Sequence, residues 1–174
     1  MSNYRRPRVA GAKIFFTVAL ADRGSDLLLR EIGLLRQAVR ATRAEWPFRI
    51  DAWVVLPDHL HCVWTLPEGD RDFSTRWRLI KGRFAAGLTG SDRRSRSKVA
   101  KSEKGIWQRR FWEHHIRDET DHAAHVRYCW INPVKHGLVT SPTDWPHSSI
   151  HRDLRSGRVE PEWSGGMPDG AFGE

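Results

Sequence analysis

Two amphipathic stripes at helical spacing bracket a pair of short apolar runs, and that order leaves few ways to fold. In residues 26–46, Leu28, Ile32, Leu35, Val39 and Trp46 fall on one side of a helix; in 72–88, Phe73, Trp77, Ile80, Phe84 and Leu88 do the same. Ser25 is the N-cap candidate of the first helix and Pro47 stops it. Between the two stripes, 48–56 and 59–66 read as neighbouring strands separated by Leu56-Pro57-Asp58. An apolar run at 13–20 supplies a strand before them and 107–116 one after, and Asp118 caps a further helix over 119–132 that Pro133 ends. The order is β-α-β-β-α-β plus a helix. This predicts an α+β fold, ferredoxin-like or RRM-like, with a four-stranded antiparallel sheet, two helices on one face and a C-terminal helix. The open face of such sheets commonly receives single-stranded nucleic acid, although fold alone does not fix function.

The chain of 174 residues is long enough for one domain with a real core, read here as 13–150. Residues 1–12 form a basic arm, and 151–174 a Pro/Gly/Ser-rich irregular tail. Residues 89–105 form a flexible basic loop with six cations, Arg93, Arg94, Arg96, Lys98, Lys101 and Lys104. No apolar run is long enough to span a membrane. The stretch 14–20 is too short for a secretory leader and is followed by Asp22-Arg23 instead of a small-residue cleavage site. Cys62 and Cys129 make no disulfide framework, which fits the cytoplasm.

A net charge of +8 points to a polyanionic partner. Several of the nine Trp stand beside cations, as in Arg76-Trp77-Arg78 and Trp107-Gln108-Arg109-Arg110-Phe111-Trp112. Cationic grooves with aromatic platforms are how single strands are held. The predicted contacts are Arg76, Lys81 and Arg83, which lie off the apolar stripe of their helix, then Arg93, Arg94 and Arg96 in the basic loop, and Arg109, Arg110 and Lys135.

Candidate chemistry lies in His59-Leu60-His61. Side chains two apart on a strand share a face, so the two imidazoles project together and can hold one divalent metal. On the last helix Asp121, His125, Tyr128 and Asn132 share one face, and Ala123, Val126 and Trp130 the opposite, apolar one. If the apolar face packs on the domain, Tyr128 is presented outward. A phenol is a weak nucleophile until its anion is stabilised, and a metal does the complementary work on a phosphate. His59, His61 and the amide oxygen of Asn132 would make a three-ligand site with open positions. The other tyrosine, Tyr4, lies in the arm. Of the remaining histidines, His114 and His115 face opposite ways on a strand, so that one could line the site; His122 and His125, one turn apart, could themselves hold a metal but read more simply as exposed helical residues; and His136 falls in a loop.

His59-Leu60-His61 after Leu56-Pro57-Asp58 resembles the HUH motif of single-tyrosine transposases, and residues 128–139 (Tyr128-Cys129-Trp130-Ile131-Asn132-Pro133-Val134-Lys135-His136-Gly137-Leu138-Val139) resemble their tyrosine helix. Residues 73–81 and 107–114 resemble the REP-associated branch, which acts at repetitive extragenic palindromes. The resemblance runs over about 13–150 and rests on separate blocks in the family's order. It implies an enzyme that cleaves and rejoins single-stranded hairpin DNA, with Tyr128 forming a 5′-phosphotyrosine link and His59, His61 and Asn132 holding Mg²⁺ or Mn²⁺. Two histidines by themselves also suit zinc. No ATP site is expected. Both a monomer and a homodimer are compatible with the resemblance. Two other readings stand beside it: a non-catalytic nucleic-acid binder, and a metal-dependent phosphoesterase that uses water.

Overall fold

The computed structural model describes residues 9–88, 105–160, 163–166, 168 and 172. Four strands form one antiparallel sheet: β1 (Lys13–Ala19), β2 (Arg49–Val55), β3 (His59–Thr65) and β4 (Trp112–His115), in the order β2-β3-β1-β4. This is the strand order of a split βαβ pair. On one face lie α1 (Leu27–Arg30), α2 (Ile32–Glu45) and α3 (Phe73–Ala86). They cover Ile14, Phe16 and Val18 of β1 and Leu60, Cys62 and Trp64 of β3, and Trp64 stacks on Trp77 with ring centres 4.4 Å apart. Both central strands are buried on both faces, so they are apolar almost throughout instead of alternating.

The second face is not open. It is covered by α4 (Glu119–Lys135), which packs across β2 and β3. Asp118 caps this helix, accepting a hydrogen bond from Asp121 N at 2.8 Å. Pro133 does not end it: the helix runs through to Lys135. A proline inside a helix forfeits one backbone hydrogen bond, and burial of Tyr128, Cys129, Asn132 and Pro133 offsets that loss. The stop comes from Gly137, at φ 67°. Gly137 N donates to Val134 O and Leu138 N to Pro133 O, the paired bonds that close a helix on a left-handed residue. Substituting Gly137 would strain this turn.

Three further boundaries differ from expectation. The first helix is divided at Glu31 (φ −107°, ψ 30°), where Leu28 turns into the core and its N–H donates to Pro57 O. The fourth strand is only Trp112–His115; Trp107 meets Leu20 in an isolated bridge, and the intervening Arg109 and Arg110 swing out to solvent. Pro142–Asp144 forms a 3₁₀ turn, and beyond Trp145 the chain is not wholly irregular, since α5 spans Ile150–Arg155. Ile150 and Val159 then cover Trp130, the apolar side of α4. No helix among the described residues is long and apolar enough to cross a membrane.

Candidate metal and tyrosine site

The inversion of α4 creates the site. Its apolar stripe is taken by Ile150 and Val159, so its polar stripe faces the sheet: Asp121, His125, Tyr128 and Asn132 are all buried. Tyr128 is therefore not presented outward; it is 0% exposed.

Strand alternation sends His59 and His61 to this same face, with ring centres 5.0 Å apart. His61 lies 5.3 Å from the Tyr128 ring, and His59 lies 5.2 Å from His136. Positions 128, 132 and 136 follow one another at four-residue steps, so Asn132 sits between the two contacts, opposite the histidine pair. His136 is the C-cap of α4 and part of the site; Tyr128 plus two helical turns was the signal that could have found it.

The hydrogen bonds settle which nitrogen of each ring carries the proton. Asp58, ion-paired to Arg23 at 3.0 Å, accepts from His59 Nδ1 at 2.7 Å. That leaves His59 Nε2 as the lone-pair nitrogen, and it is buried with no hydrogen-bond partner among the described residues. The single hydroxyl proton of Thr17 is donated to the Phe172 carbonyl at 3.1 Å, so Thr17 can only accept from His61 Nδ1, 2.9 Å away. His61 Nε2 is then also a lone-pair atom, and it too is buried. Thr17 stands directly across from His61 in the β1–β3 register, which places the bond. Two imidazoles with both outer nitrogens tied back, beside the buried Asn132 Oδ1, fit a divalent cation. Burial pushes the His59 pKa below its ordinary 6.5 although Asp58 opposes the shift, so the ring stays neutral and ligand-competent at pH 7.

Tyr128 Oη accepts a hydrogen bond from Lys135 Nζ at 3.0 Å, which sets a positive charge beside the phenol oxygen. Phe172, from the far C-terminus, stacks on the Tyr128 ring at 3.9 Å and 9°. Nothing local in the sequence marks Phe172. Because it covers Tyr128, Phe172→Ala is expected to raise any strand cleavage at this site about 5-fold or more in a labelled-oligonucleotide assay, given the worth of one aromatic stack; an unchanged or lower rate would show that the tail does not obstruct the site.

Next to the site, His114 Nε2 meets Asp121 Oδ2 at 2.9 Å and Arg117 N donates to the same oxygen at 2.9 Å, tying β4 to the start of α4. Burial would raise the Asp121 pKa, but these hydrogen bonds outweigh it and hold the carboxyl at about 2. His115 points to the opposite face, toward Phe73. His122 and His125 diverge: His122 faces Asp51, and His125 is buried, its ring 4.6 Å from that of His114.

The expected phosphate contacts divide. Arg76 is 1% exposed and is no DNA contact: it donates to Asp70 Oδ2, Pro47 O and Asp72 O. Arg83 pairs with Glu45 and Thr42 at the α2–α3 contact. Lys81 donates to Gln108 O and lies over the Trp107 and Phe111 rings. Lys135 serves Tyr128. Arg109 and Arg110 are exposed, and Arg110 lines a cleft of about 440 Å³ with Arg23, Thr17, Trp112 and His59. Arg93, Arg94 and Arg96 lie outside the described residues.

No protein-family model matches the chain. It is 48% identical over 176 residues to the REP-associated tyrosine transposase of Escherichia coli (strain K12), with 100% of this chain and 98% of that one covered. A relative assigned to the same family in Haemophilus influenzae is 44% identical over 170 residues, covering 97% and 96%. The solved structure of a REP-associated tyrosine transposase bound to a REP hairpin superposes with a TM-score of 0.86 at 48% identity, over 100% of this chain and 98% of that one.

Proposed function

The chain belongs to the REP-associated tyrosine transposases, and from that membership and the site's geometry we propose that it cleaves and transfers single-stranded DNA at a hairpin, through a covalent tyrosine intermediate. The observation that carries the reading is the convergence of Tyr128, His59, His61 and Asn132 on one buried face, with both imidazole Nε2 atoms left as lone pairs.

In this reading Tyr128 Oη attacks the scissile phosphorus. The bond to the leaving 3′ oxygen breaks, giving a 3′-hydroxyl and a 5′-phosphotyrosine, and a later 3′-hydroxyl attack reverses the link. Lys135 meets the charge that develops on Tyr128 Oη. His59, His61 and Asn132 would hold a divalent cation, Mg²⁺ or Mn²⁺, which would polarise the phosphate when bound. Asp58 and Thr17 keep the two imidazoles in the tautomer that binds it. Arg110 and Arg23 border the cleft at the His59 end, where the strand's phosphates would run.

A denaturing gel tests this. An end-labelled hairpin oligonucleotide from the host's palindromic repeats should give a protein–DNA adduct with Mn²⁺ and none with EDTA. Tight, salt-sensitive binding without any adduct on several hairpins would favour a binding module.

The pH profile is a second test. A histidine whose folded pKa is depressed stays neutral above its ordinary value and charges only as pH falls through the lower, folded value. Stability and metal affinity owed to neutral His59 are therefore complete above pH 6.5 and lost below it. The acid limb of cleavage at saturating Mn²⁺ should lie below pH 6.5; a limb centred above pH 7 would contradict the assignment.

A further inference from the structure

Phe172 occupies the site as a nucleotide would. Its ring lies flat on Tyr128, 3.9 Å away, and makes T-shaped contacts with Phe15 (6.3 Å) and His125 (5.0 Å). Its carbonyl oxygen takes the Thr17 hydroxyl proton beside His61, where an oxygen of a phosphodiester next to the metal ligands would also be received. We propose that the Phe172 slot is the seat of one nucleotide adjoining the scissile phosphate, with its base stacked on Tyr128 and its edge read by His125. The proposal rests on the single-strand cleavage reading above.

His125 has the chemistry for this. It is 4% exposed and does nothing in the mechanism just described. Its Nδ1 lies 2.8 Å from the Asp121 main-chain oxygen, an acceptor only, so Nδ1 carries the proton. Nε2 is then a buried lone pair, with no hydrogen-bond partner among the described residues. Burial also lowers the His125 pKa, which favours the neutral ring. A buried acceptor against an aromatic slot calls for a planar ligand with an N–H on its edge, which describes a nucleobase and not a phenylalanine. Phe172 fills the stacking volume and leaves the acceptor unmet. The slot is thus better matched to an amino or imino base edge than to the side chain that occupies it. Thr17 completes the pair of contacts: once the tail leaves, its hydroxyl can donate to a phosphate oxygen while still accepting from His61.

The test uses full-length protein carrying Tyr128→Phe, which keeps the stacking ring and prevents cleavage, with and without Phe172→Ala. Hairpin oligonucleotides with an abasic site at each successive position beside the hairpin foot are titrated by fluorescence anisotropy. One position should lose affinity about 10-fold when its base is removed, and the loss should be larger with Phe172→Ala, because the base no longer competes with Phe172. 2-Aminopurine at that position should be quenched on binding, as stacking requires. Adding His125→Phe should erase discrimination among the four bases there while keeping the abasic penalty. Hairpin binding with a flat abasic scan overturns the seat and leaves the cleavage reading intact. Undiminished base discrimination in His125→Phe overturns the role of His125. Failure of the Tyr128→Phe protein to bind any hairpin overturns the cleavage reading itself.

Discussion

Tyr128→Phe is expected to abolish strand cleavage, by ~10³-fold or more, while leaving hairpin affinity within about 2-fold. The substitution removes one atom. The ring keeps its contacts with Phe15, His61 and Phe172, so the burial that holds α4 on the sheet survives. What disappears is the oxygen that accepts from Lys135 and would attack phosphorus. The only other tyrosine, Tyr4, stands at the far N-terminus, outside the described residues. Binding by anisotropy and cleavage on a denaturing gel separate the two effects. Cleavage that persists in the mutant, without an adduct, would mean that water is the nucleophile and that the His59–His61 pair serves a hydrolase.

Arg76→Ala should destabilise the fold by about 3 kcal/mol or more, read as a lowered midpoint in urea. The guanidinium is closed in by Asp70 Oδ2 at 2.6 Å, Pro47 O and Asp72 O at 2.7 Å each and Trp46 O at 3.3 Å, and lies over the Trp46 and Phe48 rings. Removing it takes a donor from three main-chain oxygens and from a carboxylate whose pKa is held down chiefly by its hydrogen bond from Arg76. The residue joins the end of α2, the loop before α3 and the first turn of α3, so the loss is felt across that whole face. Lysine cannot replace it, because a single ammonium does not span these acceptors. DNA affinity per folded molecule should be unchanged. A normal urea midpoint with weakened, less salt-dependent binding would instead restore Arg76 as a phosphate contact.

Arg76 shows where sequence reading stops. Helical periodicity placed it off the apolar stripe of α3, and off-stripe arginines are normally solvated. It is buried because the 46–47 and 70–72 loops close over it from either side, and no local pattern encodes that closure. Pro133 fails for a related reason: its bias against helix is a local preference of a few kcal/mol, and the packing of Tyr128, Cys129 and Asn132 against the sheet exceeds it.

Local physics did determine a good deal. The period-two alternation of β3 puts His59 and His61 on one side and Leu60 on the other, and no tertiary contact can change that without breaking the strand. The two helical stripes and the intervening strand pair fix the split βαβ order, because each apolar face needs a partner and short connections allow little else. The 3.6-residue period likewise puts Asp121, His125, Tyr128 and Asn132 on one face of α4. Which way that face points was a tertiary decision. Ile150 and Val159 bury the apolar stripe from outside, and the polar stripe turns inward, where Asp121 meets His114 of β4 and Tyr128 packs against His61 of β3 and Phe172. The His59 tautomer is local, set by the adjacent Asp58, whereas the His61 tautomer, the approach of His136 to His59 and the seating of Phe172 on Tyr128 are decided by tertiary contacts. They join residues 44 to 155 positions apart, as Thr17–His61 and Thr17–Phe172 do, and periodicity along a chain carries no information about such pairs.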